Sequence, residues 1–161
     1  MDKKLRKKNR LLLISSVLIA IISFAILFLS IFSISQFKKI KTWGGSDYDN
    51  GHKIALDSSG NIYITGATAS YGAGSFDVVL LKYNSSGNLQ WSKIWGGPNN
   101  DTGDGIALDN LGNIYITGAT SYETNLDDVF LLKYDSSGNL LWNKTWGGYN
   151  YFAGGGIALD S

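Results

Sequence analysis

Cysteine is absent from the 161 residues, proline occurs once and histidine once, at His52. No disulfide framework, cysteine-ligated zinc or thiol chemistry is open to such a chain. A site needing two imidazoles is excluded as well. No Gly-x-Ser-x-Gly elbow, P-loop or dinucleotide-binding fingerprint is present. Charge is scarce at 17%, while glycine is plentiful at twenty residues.

The net charge of +1 conceals a division. Residues 1–41 carry nine Lys or Arg against one Asp, and residues 42–161 carry five against twelve acids. The acidic part is repelled by phosphate backbones, so nucleic acid is not an expected partner. The basic part flanks an apolar run. Residues 11–34 contain no charge, Gly or Pro, and seventeen of the 24 are Leu, Ile, Phe or Val. At roughly 0.3 to 0.6 kcal/mol each, these favour insertion into a bilayer by about 5 to 10 kcal/mol. A helix of that length measures about 36 Å, enough for a hydrocarbon core of about 30 Å. Its five serines can bond back to carbonyls one turn earlier. Six cations precede the run and three follow it, which predicts a cytoplasmic N-terminus.

The expected arrangement is a basic cytoplasmic tail at 1–10, a signal-anchor helix at 11–34 in contact with the lipid bilayer, and a linker at 35–42. The repeats beyond it are expected outside a single-pass cell membrane. A cleaved secretory signal is the alternative, with Ser33-Ile34-Ser35 as a small-residue cleavage site. Sequons at Asn84, Asn100 and Asn143 fit either destination. Ser16 and Ala20 form a small-xxx-small pair, a pattern common in such helices.

From Trp43 the chain copies itself. Trp-Gly-Gly recurs at Trp43, Trp95 and Trp146, giving repeats at 43–94 and 95–145 and the start of a third at 146–161. Length varies between Thr68 and Asp77, which marks a surface loop. Within each unit a D/N-x-x-G-N element lies between apolar runs, at Asp57 to Asn61, Asn84 to Asn88, Asp109 to Asn113 and Asp135 to Asn139. Two turn residues followed by Gly predict a three-residue hairpin loop with a bulge, whose Asp or Asn bonds the turn backbone. The joined runs are rich in β-branched and aromatic residues, so each unit holds four strands. In the third strand Val129, Leu131 and Lys133 face one way, and Phe130, Leu132 and Tyr134 the other. Both faces are largely apolar, as in a blade covered on both sides. All five tryptophans fall in the repeats and are assigned to packing between blades. The Trp-Gly-Gly steps are assigned to blade-to-blade turns needing glycine's backbone freedom.

The run from Ile54 through Asp57, Gly60 and Asn61 to Gly66, with that from Asp128 to Gly148, resembles the SBBP family of β-propeller repeats, a likeness that covers Trp43 to Ser161. So does the corresponding run from Ile106 to Gly118. That family occurs in surface and secreted proteins of bacteria and archaea. The resemblance implies a propeller and an exported location, and it implies no catalytic activity, cofactor or defined binding residues. The fold expected is all-β, a partial propeller of four-stranded blades behind one N-terminal transmembrane helix.

A propeller closes with four to eight blades. About two and a third units predict a truncated product or fragment, whose open sheet faces need missing blades or self-association. Among the acids, Asp47-x-Asp49-Asn50-Gly51 and Asn100-Asp101-x-x-Asp104-Gly105 crowd oxygens near Gly as calcium loops do, without the twelve-residue pattern. They are read as solvated turn residues. Asp127 and Asp128 precede a strand and are assigned to its loop. His52 corresponds to Asp104 and Gly155 in the other copies and is read as incidental. No catalytic, cofactor-binding or metal site is assigned. The expected role is a binding or surface-scaffold module with an extracellular protein or glycan ligand. The rival is an exported quinoprotein-like oxidoreductase, because Asp135-Ser136-Ser137-Gly138-Asn139-Leu140-Leu141-Trp142 resembles the tryptophan-docking turn of those propellers.

Overall fold

The computed structural model describes residues 3–35, 41–122, 126–147 and 155–160. Two compact units divide the chain, at 1–41 and 42–161. The linker expected at 35–42 and the opening of the third repeat fall largely outside the described residues.

The first unit is one α-helix, α1, Lys3–Ser35. Its described apolar side chains are all exposed, Phe24 at 71% among them. Ser15 Oγ donates to Leu12 O at 3.0 Å and Ser16 Oγ to Leu13 O at 2.9 Å, so these hydroxyls are satisfied within their own helix. Among the described residues no helix is long and apolar enough to cross a membrane. The contiguous described side chains cover residues 12–28, about 26 Å of axis against a core of about 30 Å. The span expected at 11–34 is thus helical along its whole backbone, but its ends lie outside the described side chains.

The second unit is all-β. Strands β1 (Asp49–Leu56), β2 (Ile62–Thr68), β3 (Asp77–Tyr83) and β4 (Leu89–Trp95) form one antiparallel sheet in sequence order. Strands β5 (Asp101–Leu108), β6 (Ile114–Tyr122), β7 (Leu126–Tyr134) and β8 (Leu140–Trp146) form a second. Trp95 and Trp146 of the Trp-Gly-Gly steps each close a fourth strand rather than opening a unit: Trp95 pairs with Val78 and Trp146 with Val129. The first strand is longer than its apolar Ile-Ala-Leu core because it continues through a bulge, between Gly51 and Lys53 in β1 and between Gly103 and Gly105 in β5.

The hairpins follow from their four-residue chemistry. Gly60 N donates to Asp57 O at 3.0 Å, and Asp57 N to Asn61 O at 3.1 Å. Gly60 at φ +75° supplies the left-handed residue of the bulge. Gly87, Gly112 and Gly138 repeat that conformation. Asp57 Oδ1 accepts from Ser59 N and Asn61 N, and its Oδ2 from Asn61 Nδ2 and Tyr63 OH. Asp109 makes the same set with Leu111, Asn113 and Tyr115. Desolvation would raise the Asp57 carboxyl, yet the donations from Asn61 and Ser59 hold it below its usual range. The Asn113 side chain does the same for Asp109, and Asn139 for Asp135.

One core joins the two sheets. Tyr63, Val78 and Leu80 of the first meet Ile114, Ile116, Phe130, Leu132 and Tyr134 of the second, with Trp91, Trp95, Ile106 and Leu108 packed around them. The Trp95 and Phe130 rings lie 4.8 Å apart. The opposite face of β3 is also covered, with Val79 at 2% and Leu81 at 6% exposure. This is the two-sided burial expected of a blade.

Gly112→Ala places a Cβ at φ +79° and is expected to destabilise the unit by about 1 to 2 kcal/mol. Asp109→Ala, which removes the acceptor shared by the donors of the same turn, is expected to destabilise the unit in the same direction. Urea unfolding of the purified chain measures both. Equal stability of Gly112→Ala and the parent would remove the left-handed turn from the account.

Candidate functional site

At the end of the sheets opposite these hairpins, the 69–76 loop and the 96–100 connection are held by carboxylates. Asp49 Oδ2 accepts from Gly45 N at 2.9 Å and Ser70 Oγ at 2.8 Å, and Thr68 Oγ1 donates to its Oδ1. One repeat later, Asp101 accepts from Gly97 N at 2.8 Å and from Thr120 Oγ1. Asp77 Oδ2 accepts from Ala73 N and Gly74 N, both at 3.0 Å. Each acid thus organises a glycine-rich connection from one fixed strand position.

The same motif titrates in opposite directions in the two blades. The Thr68 hydroxyl, acting against partial desolvation and helped by Gly45 and Ser70, lowers the Asp49 carboxyl below its usual range. Burial raises that of Asp101 despite its bonds to Thr120 and Gly97, and the charge of Asp77 raises it further. Asp77 and Asp101 are each only 1% exposed. A Cβ on Gly96 would stand 2.2 Å from Asp77 Oδ1 and 2.6 Å from Asp101 Oδ2. Glycine in this Trp-Gly-Gly step is therefore required by close approach rather than by unusual φ. Gly147 repeats the relation, with Asp128 Oδ1 1.5 Å from its Cβ position.

Beside this junction is a cavity of about 570 Å³, lined by Trp95, Asp101, Thr120, Ser121, Asp128 and Thr145 among others. It combines an indole, hydroxyls and carboxylates, a set suited to holding a polar ligand at a partly apolar wall. The proposed calcium-loop acids do not converge there. Asp49 and Asp101 each hold a connection of their own blade, and Asp104 lies on the β5 bulge. Asp101 is corrected from a solvated turn residue to a buried one, because the first blade covers it. Among the described residues, no group of three or more His, Asp or Glu stands ready to hold a metal ion. The side chain of Asp127 and the third copy's 150–154 lie outside the described residues.

His52 has a defined place. Its Nδ1 lies 2.9 Å from Asp104 Oδ1 and 3.2 Å from Gly103 O. The two side chains hold equivalent positions in the first strands of successive blades, so His52 links blades and is not incidental. The available signal was positional: an imidazole and a carboxylate alternate at one repeat position. The tryptophans divide as well. Trp91 and Trp95 pack between blades, Trp43 packs on Tyr71 with ring centroids 5.2 Å apart, and Trp142 and Trp146 remain 37% and 55% exposed.

Meandering four-stranded sheets stacked face to face, with glycine-rich connections gathered at one end, define a β-propeller blade pair. Residues 42–72 and 90–122 match the family model of the SBBP beta-propeller repeat. It is also 28% identical over 89 residues to "Regulatory protein FlaEY" of Caulobacter vibrioides, a match covering 47% of this chain and 9% of that protein. The chain therefore spans a small part of that relative's length.

Stability should follow the carboxylates. A folded-state value raised above the unfolded one means the folded Asp101 holds its proton longer, so its unfavourable contribution fades as pH falls through that raised value. Asp49, Asp57, Asp109 and Asp135 are lowered, so their stabilisation is lost as pH falls from about 4. The melting temperature is expected to rise as pH falls through the raised Asp101 value and to fall once pH drops below the ordinary carboxylate value of about 4. Asp101→Asn is expected to flatten the rise alone. Circular dichroism melts across pH check this, and a rise that survives the substitution would assign it elsewhere.

Proposed function

We propose that this chain is a membrane-anchored, extracytoplasmic binding or scaffold module that takes a protein or glycan ligand at the connection end of its blades. The observation carrying the reading is the use of the acids. Asp49, Asp77 and Asp101 are engaged with backbone N–H groups and hydroxyls of the connections. Their role is to hold loop geometry. A cavity edged by loops fixed in this way is preorganised, which reduces the ordering cost of binding.

The anchoring part rests on charge and length. The uncharged run 11–34 lies within a helix, Lys3–Ser35, with an excess of cations ahead of it. The acidic repeats have no use for an anionic cytoplasmic leaflet. The regulatory description of the Caulobacter relative is compatible with a module that binds rather than transforms.

The full chain is expected to sediment with membranes, and protease added to intact spheroplasts is expected to degrade the repeats while sparing the helix. Purified cell-envelope polysaccharide is expected to retain the detergent-solubilised chain, with retention lost on Asp128→Arg at the cavity wall. Repeats protected until lysis would overturn the location. Retention unchanged by Asp128→Arg would overturn the assignment of the ligand to this cavity.

A further inference from the structure

Strand register assigns the walls of the cavity. Thr120 pairs with Asp128, and Phe130 pairs with both Gly118 and Thr145. Paired residues share a face of a sheet, and so do residues two apart along a strand. Thr120, Asp128 and Thr145 therefore stand on the Phe130 face, which packs against Val78 and Trp95 of the first sheet. The facing wall is Trp95 with the Gly96, Gly97 and Pro98 connection. The cavity thus belongs to the contact between two complete blades.

The first repeat shows what a Trp-Gly-Gly step can hold. Trp43, Gly44 and Gly45 are the counterparts of Trp95, Gly96 and Gly97. The Tyr71 ring lies on Trp43 with centroids 5.2 Å apart, and its hydroxyl donates to Gly44 O at 3.2 Å. Its Cζ stands 3.4 Å from where a Cβ on Gly45 would lie, whereas nothing stands within 4 Å of the same position on Gly97. A six-membered ring carrying a hydroxyl covers the first step, and the second is open. The surrounding polar groups differ in the same sense. Asp77 Oδ2 accepts from Ala73 N and Gly74 N. Among the described residues none donates to its counterpart Asp128, whose Oδ1 lies over Gly147. Ile94, which pairs with Val79, gives way to Thr145 at the same place in the second sheet. No Lys, Arg or His is among the described residues lining the cavity.

Resting on the reading of this cavity as the ligand site, we propose that its occupant is an amino sugar unit of a glycan. The pyranose ring is seated against Trp95 as Tyr71 is seated on Trp43, and its ammonium group pairs with Asp128. The ammonium supplies the charged donor that this carboxylate lacks, and the nearby indole attracts the same cation. The ring hydroxyls meet the Thr145 hydroxyl and the Gly96 carbonyl, the counterpart of the acceptor used by Tyr71. A volume of about 570 Å³ falls within the range of about 300 to 1,000 Å³ usual for small-ligand sites. An acidic sugar would set its carboxylate against Asp128 with no cation to offset it.

Calorimetric titration of the full chain in mild detergent tests this with three probes: the β-linked glucosamine disaccharide, its N-acetylated form and a disaccharide of glucuronic acid. The free amine is expected to bind at least about 10-fold more tightly than the acetamide, because a charge-assisted hydrogen bond is lost on acetylation. The glucuronic acid disaccharide is expected not to bind. Asp128→Asn is expected to weaken binding of the amine by about 10-fold or more and to change binding of the acetamide by less than about twofold. A folding defect would weaken both alike, so the difference between the two ligands reports the carboxylate itself. Equal affinity for amine and acetamide, binding of the glucuronic acid disaccharide, or an amine preference that survives Asp128→Asn would overturn the proposal. If envelope polysaccharide retains the chain through Asp128 while the glucosamine disaccharide does not bind, the amino sugar is overturned and the cavity stays the ligand site. Failure of both removes both.

Discussion

A sheet that is apolar on both faces is unstable in water as a single layer, and this constraint governs the repeat region. Its central strands bury Val78 and Leu80 on one side and Val79 and Leu81 on the other. Each buried side chain of this size contributes about 1.5 to 3 kcal/mol when removed from water. On the Val78 and Leu80 side the second sheet supplies that cover. The hairpin turns, which are local, settle how each sheet forms. The Trp95–Phe130 contact and its neighbours settle that sheets form in pairs. No single blade supplies both partners of that contact.

Stacking also sets the electrostatics. Asp49 and Asp101 occupy the same repeat position and make the same bonds to a threonine and a glycine amide, yet their carboxyls shift in opposite senses. The local sequence is not the cause. Asp101 has a blade against it that carries Asp77, whereas Asp49 keeps more contact with solvent. Gly96 permits that approach, since any Cβ there would strike both carboxylates. Charge repulsion at the junction therefore offsets a small part of the apolar gain, and it is accepted because those acids hold the connections at the blade ends.

What the sequence made legible was what lies close along the chain. The four D/N-x-x-G-N turns, the four strands per unit and the two apolar faces of the third strand depend on neighbours within a few residues, and periodicity reports them directly. Effects reaching across a repeat were not legible in the same way. Asp101 reads as a solvated loop acid until the first blade is seen to cover it. His52 reads as a stray residue until the bulges of β1 and β5 bring it to Asp104. The glycine after Trp95 suggests a special φ, yet its cause is a carboxylate from another strand. In each case the residue type was visible and the partner lay on another strand, often about fifty positions away.

The same division indicates where function can vary. Strand residues are constrained on both faces, so a change there must be matched by the adjoining blade. The hairpin turns are constrained by the Asp or Asn side chain that accepts from two to four donors in each of them. The connection end is constrained at its strand-borne acids and at the glycines packed against them. Between Thr68 and Asp77, and in the corresponding stretch after Thr120, the two copies differ in both length and composition. Selection for a ligand can act on those residues without disturbing a sheet. The cavity beside Thr120, Ser121 and Asp128 lies at that permissive end. In the proposed binding role the two tasks are separated in space, with stacking carried by the strands and recognition left to the connections they hold in place.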